Sequence, residues 1–250
     1  MKNNRENLIK GCELAIAFVV PCYNEAERTD FKVFKDWQDV HREVNFFFVN
    51  DGSSDNTLDV IGNFFEKDRI IDLPRNSGKA EAVRVGMKRV CELESYSYVG
   101  FLDADLATPL SEISLFQHWV KQGKEIILGA RILRLGGNIN RKWYRHYLGR
   151  FFATAASLLL DLPIYDTQCG AKVFKASLLK EVIEEPFISK WIFDVELFLR
   201  FKQKGSVPIE LWHEIPLENW EDVGGSRLKS TDFLKAPFEM LSLFFKYGRG

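Results

Sequence analysis

Four cysteines, four histidines and three methionines in 250 residues leave little material for thiolate or imidazole chemistry. Cys12, Cys22, Cys91 and Cys169 form no CxxC pair, and the histidines form no HExxH or similar set. That argues against a zinc centre and against a disulfide scaffold, and reduced thiols in a cytoplasmic compartment are the simplest reading. Charge of one sign is also missing. The net charge of −1 provides no global basic field to draw in nucleic acid. Long hydrophobic runs are absent too: the longest stretch without a charged side chain, Leu14–Asn24, is well short of a membrane span and contains Pro21. Met1–Lys10 is polar and charged where a secretory signal would be apolar. The chain is expected not to cross a bilayer, although it can still touch one.

What is present is enough apolar material for a substantial core. The hydrophobic fraction is 46%, with 14% aromatics and 21 phenylalanines, and the length fits one large α/β domain. Leu14–Val20, Val44–Asn50, Ile70–Leu73, Tyr98–Leu102 and Glu125–Ala130 are short apolar runs with β-branched or aromatic content, predicted as strands. Between them Glu25–Val40, Asp55–Lys67, Lys79–Glu92 and Ser111–Gln122 have amphipathic periodicity, with Asp55 and Ser111 as the expected N-caps. Alternating strands and helices predict a mainly parallel sheet covered on both faces. The run Phe46-Phe47-Phe48-Val49 suits a strand buried on both sides.

In open α/β sheets, ligands gather beyond the carboxyl ends of the strands. Polar clusters follow each predicted strand here: Pro21–Glu25, Asp51–Asp55, Arg75–Lys79, Asp103-Ala104-Asp105 and Gly129-Ala130-Arg131. Side chains alternate along an extended chain, so Asp103 and Asp105 emerge on one side while Ala104 points away. Carboxylates held that close repel unless a cation lies between them and something polyanionic. Mg²⁺ or Mn²⁺ suits such a pair, because hard cations accept oxygen ligands and keep positions for phosphates. An isolated pair of this kind is also compatible with a solvated strand end. Asp51 can accept from a base N–H or a ribose hydroxyl, or simply form the turn before Gly52.

These strand-end motifs, in this order and spacing, resemble glycosyltransferase family 2, which has the GT-A fold. In the second half, Asp166–Phe174, Trp191–Leu197 and Trp220–Leu228 are similar to the dolichyl-phosphate β-glucosyltransferases within it, more than to the dolichyl-phosphate mannose synthases. Ala80 stands where a glycine is usual and Ala171 where an aromatic is common, and the amino-terminal membrane anchor of eukaryotic members is not seen. The resemblance implies a metal-assisted, inverting transfer of a hexose from a nucleotide sugar, UDP-glucose, to a polyprenyl phosphate. It implies Pro21, Tyr23, Glu25 and Asp51 in the uridine pocket, and Asp103 and Asp105 on the metal, with Ala104 between them at the nucleotide sugar. Lys79 and Arg131 are implied near the phosphates, Gln168 near the acceptor phosphate, and Asp194 at the candidate base. Asp194 also reads as an N-cap for a helix over Val195–Lys202.

Arg141 and Arg145 share a helical face, interleaved with Trp143 and Tyr144, as suits a lipid headgroup and its phosphate or a plain solvated surface. Phe233–Phe245 is unusually aromatic and can lie on a membrane, meet a membrane-bound partner subunit, or pack on the domain. One domain over 1–250 is expected, with a nucleotide-sugar half at about 14–131, an acceptor half at about 132–230 and this terminal segment at 231–250, peripheral on the cytoplasmic face of a membrane. The alternatives are a saccharide hydroxyl acceptor, GDP-mannose as donor, or a nucleotide-sugar binding module without turnover.

Overall fold

The computed structural model describes residues 15–140, 143–205, 207–223 and 230–248, with backbone only for 143–148, 151 and 230–234. In chain order the elements are β1 (Ile16–Cys22), α1 (Phe31–Val40), β2 (Val44–Asp51), α2 (Thr57–Gly62), β3 (Ile70–Leu73), α3 (Lys79–Glu92), β4 (Tyr98–Leu102), α4 (Ile113–Lys121), β5 (Ile126–Ala130), β6 (Asn138–Asn140), α5 (Trp143–Leu160), β7 (Ala171–Lys175), α6 (Ala176–Lys180), α7 (Phe193–Lys204), β8 (Trp212–Pro216), β9 (Asn219–Glu221) and α8 (Ser230–Tyr247). The five predicted strands form within two residues of their expected bounds.

They belong to a seven-stranded sheet of order β3-β2-β1-β4-β7-β5-β8. Six of these strands run parallel, and β7 is antiparallel to both of its neighbours. Alternation along the strands sorts the aromatics onto two faces. Phe18, Phe46 and Phe48 pack with Phe31, Phe34 and Phe116 on one side. On the other, Phe47 and Phe101 pack with Phe174, Phe193 and Phe198. Burial of such rings on both faces is the main source of stability, and it fixes the register, because a one-residue slip would exchange the faces.

The helices differ from the sequence reading at their ends. The first begins at Phe31, where Asp30 caps Lys32 N–H at 3.0 Å, because Asn24–Ala26 is instead held by side chains of the next loop. Its Asn24 N–H donates to Ser53 Oγ at 2.9 Å, and Glu25 N–H to Thr57 Oγ1 at 2.7 Å. The second helix contracts to Thr57–Gly62 with Asn56 at the N-cap, while Asp55 Oδ1 accepts from Thr57 N–H at 3.0 Å. Ser111 is not an N-cap: it lies within a 3₁₀ turn over Leu110–Glu112 that leads into α4.

The antiparallel entry of β7 decides the architecture of the site. Leu102 pairs with Ala171, so Gly170 arrives at the same sheet edge as Asp103, and Asp103 N–H donates to Gly170 O at 3.1 Å. A strand from beyond residue 131 is thereby interleaved between β4 and β5.

Candidate active site

A cavity of about 740 Å³ opens along the carboxyl ends of the parallel strands. Pro21, Tyr23, Glu25, Asp51, Lys79, Asp103, Ala104, Asp105, Arg131, Gln168 and Asp194 all line it. The fold thus gathers every candidate named above whose side chain is described. Arg141 lies outside the described residues, as does the side chain of Arg145.

The wall at the ends of β1 to β3 is built by loops that hold one another. Gly52 adopts φ +60°, and a Cβ there would come within 2.3 Å of the Arg75 backbone. Only glycine permits that approach. It lets Asp51 reach across, accepting from Ser77 N–H at 2.7 Å and Gly78 N–H at 2.8 Å. Burial raises the Asp51 pKa against the effect of these donors. Its turn-forming and ligand-facing readings are therefore compatible, since each oxygen retains a lone pair towards the cavity. Glu25 is nearly buried, ion-paired with Arg28 at 3.0 Å.

Asp103 and Asp105 follow β4. Lys79, the first residue of α3, meets Asp103 Oδ1 at 2.5 Å. Burial would lower the Lys79 pKa, but Asp103 and Asp194 outweigh it and the ammonium is held charged. Asp105 Oδ1 accepts from Ala107 N–H at 3.1 Å. Its pKa is raised by burial first and then by the charge of Asp103. This mutual repulsion fits a divalent cation between the two: they offer hard oxygen donors, and among the described residues no group of three or more His, Cys, Asp or Glu could hold a metal. A pair of carboxylates is the protein share that Mg²⁺ and Mn²⁺ accept when phosphates complete the shell.

Arg131 ends the fifth strand loop but is committed sideways. Its Nε and Nη2 form a fork on Asp166 at 2.7 and 2.8 Å, and the guanidinium lies 5.3 Å from the Trp220 ring centroid. Burial is outweighed by Asp166, so the Arg131 pKa is raised further. Glu214 in turn accepts from Tyr165 N–H and Asp166 N–H at 2.8 and 2.7 Å, fixing the loop that carries Asp166 and Gln168.

Asp194 is not an N-cap. Helix α7 begins at Phe193 with Ile192 at the cap position, and the Asp194 carboxylate turns to Lys172, whose Nζ lies 2.8 Å from Oδ1. Gln168 Nε2 is 3.5 Å from the other oxygen, and burial raises the Asp194 pKa. Thr167 Oγ1 is a buried atom without a hydrogen-bond partner among the described residues. Folded proteins keep few such atoms, and one on the lining of this cavity suits a polar ligand.

Lys172 was missed as a site residue. A lysine inside an otherwise apolar strand, Ala171–Phe174, was the available signal. It is fully buried, bonded to Cys169 O and 5.1 Å from the Phe101 ring centroid. Replacing it leaves Asp194 an uncompensated buried charge. Lys172→Met is expected to cost about 3–5 kcal/mol in urea unfolding, with much of it restored by adding Asp194→Asn. A single variant as stable as the wild type would remove the ion pair from this account.

A sequence model of glycosyl transferase family 2 matches residues 17–183, more than half of the chain. The chain belongs to glycosyl transferase family 2. It is a glycosyltransferase. A dolichyl-phosphate beta-glucosyltransferase of Trichomonas vaginalis is 28% identical over 255 residues, covering 94% of this chain and 73% of its own. The Saccharomyces cerevisiae protein of that name is 27% identical over 263 residues, covering 94% and 75%. Among solved structures, glucosyl-3-phosphoglycerate synthase from Mycobacterium tuberculosis superposes with a TM-score of 0.65 at 18% identity, covering 96% of this chain and 82% of that one. That crystal contains Mn²⁺, UDP and glucosyl-3-phosphoglycerate. The shared architecture is the GT-A fold, with a mostly parallel sheet.

The carboxyl-terminal segment divides its faces. Ala236 and Leu243 of α8 are buried on the domain, and Glu239 Oε2 accepts from Trp191 and Ile192 N–H at 3.1 and 3.2 Å. Phe238, Leu241 and Phe245 are 74%, 52% and 60% exposed. Among the described residues no helix is long and apolar enough to cross a membrane. Cys22, Cys91 and Cys169 are buried free thiols, with burial raising Cys169 to about 11 and Cys91 to about 12. Cys12 lies outside the described residues.

Proposed function

We propose that this enzyme transfers glucose from UDP-glucose to a polyprenyl phosphate such as dolichyl phosphate, with inversion at the anomeric carbon. The observation that carries this reading is the composition of the cavity. Its strand-end wall holds Asp51, Asp103 and Asp105, as a nucleotide diphosphate requires. Its other wall brings Arg150, Lys190 and Lys235 beside Phe152 and Trp191, a mixture of cations and rings that suits a phosphate carried on a lipid rather than a sugar hydroxyl. The names of the curated relatives support the acceptor class, and the UDP and Mn²⁺ of the structural neighbour support the donor class.

Asp103 and Asp105 would hold Mg²⁺ or Mn²⁺, which when bound offsets the charge gathering on the departing diphosphate. Lys79, the first residue of α3, adds its charge and the helix amino terminus to the same phosphates. A phosphate monoester carries about 1.5 to 2 negative charges at neutral pH, so its oxygen attacks the anomeric carbon without a base to deprotonate it. The bond from that carbon to the diphosphate breaks, and UDP departs with the electron pair. Asp194, buried and ion-paired with Lys172, is suited to orienting sugar hydroxyls together with Gln168 and with Thr167, whose unpartnered Oγ1 a hexose hydroxyl would complete. Arg131, braced by Asp166, faces the acceptor phosphate. The exposed aromatic face of α8 is suited to lie in a membrane interface.

The test is turnover of purified protein with Mn²⁺, a panel of UDP- and GDP-sugars and farnesyl phosphate, following sugar into the organic phase. Labelled lipid from UDP-glucose is the expected result. Transfer only to a soluble saccharide or to phosphoglycerate would overturn the acceptor, and preference for GDP-mannose would overturn the donor.

A further inference from the structure

The segment between α6 and α7 has no regular structure through residues 182–192, yet charged side chains from three helices are devoted to its backbone. Arg84 of α3 donates to Ile183 O and Glu184 O at 3.0 and 2.9 Å. Arg200 of α7 donates to Val182 O, Glu185 O and Pro186 O at 2.9, 2.7 and 2.6 Å. Glu196, fully buried, accepts from Ile188 and Ser189 N–H, both at 2.9 Å. Glu239 of α8 takes the last two amides, those of Trp191 and Ile192. A connecting loop ordinarily gives such groups to water. Charge-assisted bonds are roughly twice as strong as neutral ones, so this wall is fixed in advance of ligand rather than closing upon it.

What the wall presents is Trp191. Its ring meets Phe152 of α5 edge-on, with centroids 5.6 Å apart and planes at 65°, and both residues line the cavity. Lys190 and Lys235 flank them on the same lining, while Gly149 and Ala153 leave room on α5. Arg150 lies 3.6 Å from the Tyr165 ring centroid and donates to Tyr165 O at 2.8 Å.

Building on the acceptor class given above, we propose that Trp191 and Phe152 form a subsite for the first isoprene units of the lipid acceptor, beside cations that meet its phosphate, and that Glu239 is the positioning residue that sets it. The occupant is the prenyl chain, because an apolar ring pair bordered by Lys190, Lys235 and Arg150 is complementary to an anion with an apolar tail. The subsite distinguishes a prenyl phosphate from a small soluble phosphate. Glu239 acts through Trp191 and Ile192 and touches no reacting atom.

Calorimetric titration of the full chain with UDP and Mn²⁺ present, using farnesyl phosphate and methyl phosphate as probes, tests this. The wild type should bind farnesyl phosphate at least about tenfold more tightly than methyl phosphate, because the rings bury apolar chain. Trp191→Ala should lose about 30-fold towards farnesyl phosphate while keeping its affinity for methyl phosphate and for UDP. Glu239→Ala should reproduce that selective loss, and Glu239→Gln, whose amide oxygen still accepts both N–H groups, should retain wild-type binding. A general structural defect would weaken UDP as well and would overturn the positioning role. Undiminished farnesyl phosphate binding by Trp191→Ala, or no preference in the wild type, overturns the subsite. Tight, Trp191-dependent binding without sugar transfer supports the subsite while removing the proposed reaction, so the two ideas fail separately.

Discussion

Asp105→Asn is expected to reduce sugar transfer by about 10³-fold or more while raising the melting temperature of the metal-free protein. The two effects have one cause. Asp105 lies two positions from Asp103 in a half-buried site, and burial, followed by the Asp103 charge, raises its pKa. A carboxyl group with a raised folded-state pKa binds its proton more tightly when the protein is folded. Its contribution to stability is therefore present below the ordinary aspartate range and is lost as pH rises through the raised value. At neutral pH the folded protein thus tolerates a repulsion that the asparagine removes, and the amide oxygen can still accept from Ala107 N–H. Activity and stability are opposed here, as at other sites built for charge. Differential scanning fluorimetry with chelator checks the stability half. In the wild type, Mn²⁺ should raise the melting temperature more at about pH 7.5 than at about pH 4.5, because protons compete more strongly with the metal for carboxylates at the lower pH. A variant with full turnover would remove the metal from the reaction, and a lower melting temperature in chelator would remove the repulsion.

Gly170→Ala is expected to lower kcat by about 10²-fold, the penalty for displacing a catalytic group by an ångström. A Cβ on Gly170 would lie 2.1 Å from Asp103 Oδ2 and 2.4 Å from its Cγ. Both residues are tied by the Asp103 N–H bond to Gly170 O, so the backbone cannot separate without opening the β4–β7 ladder. The carboxylate must shift instead, which disturbs its ion pair with Lys79. Weaker Mn²⁺-dependent UDP binding should accompany the loss, while the far-ultraviolet circular dichroism spectrum stays native. Wild-type kcat in this variant would mean that Asp103 does not need the position it has here.

The gathering of polar clusters at one sheet edge was legible in the sequence because each loop directly follows an apolar run. Asp51, Lys79, Asp103 and Arg131 fall where the parallel-sheet rule directs them. Helix ends were less legible. Glu25–Val40 has helical periodicity throughout, yet Asn24–Ala26 is taken by Ser53, Asp55 and Thr57, partners about thirty positions away that no local pattern reports. The pairing of Asp194 with Lys172 was hidden for a similar reason. One reads locally as a cap and the other as a misplaced charge, and their meaning lies in the pairing of one with the other.

By itself the sequence determined the layered α/β class, the polar clusters at the parallel strand ends and the pair of carboxylates two positions apart, since these depend on periodicity and on side chains adjacent in the chain. Only the tertiary structure decided that β7 enters the sheet in reverse and delivers Gly170 to Asp103. It alone decided that Arg131 is braced by Asp166, and that α8 secures Trp191 through Glu239. Those arrangements depend on contacts between distant segments, which form only when burial of the two aromatic faces brings the sheet together.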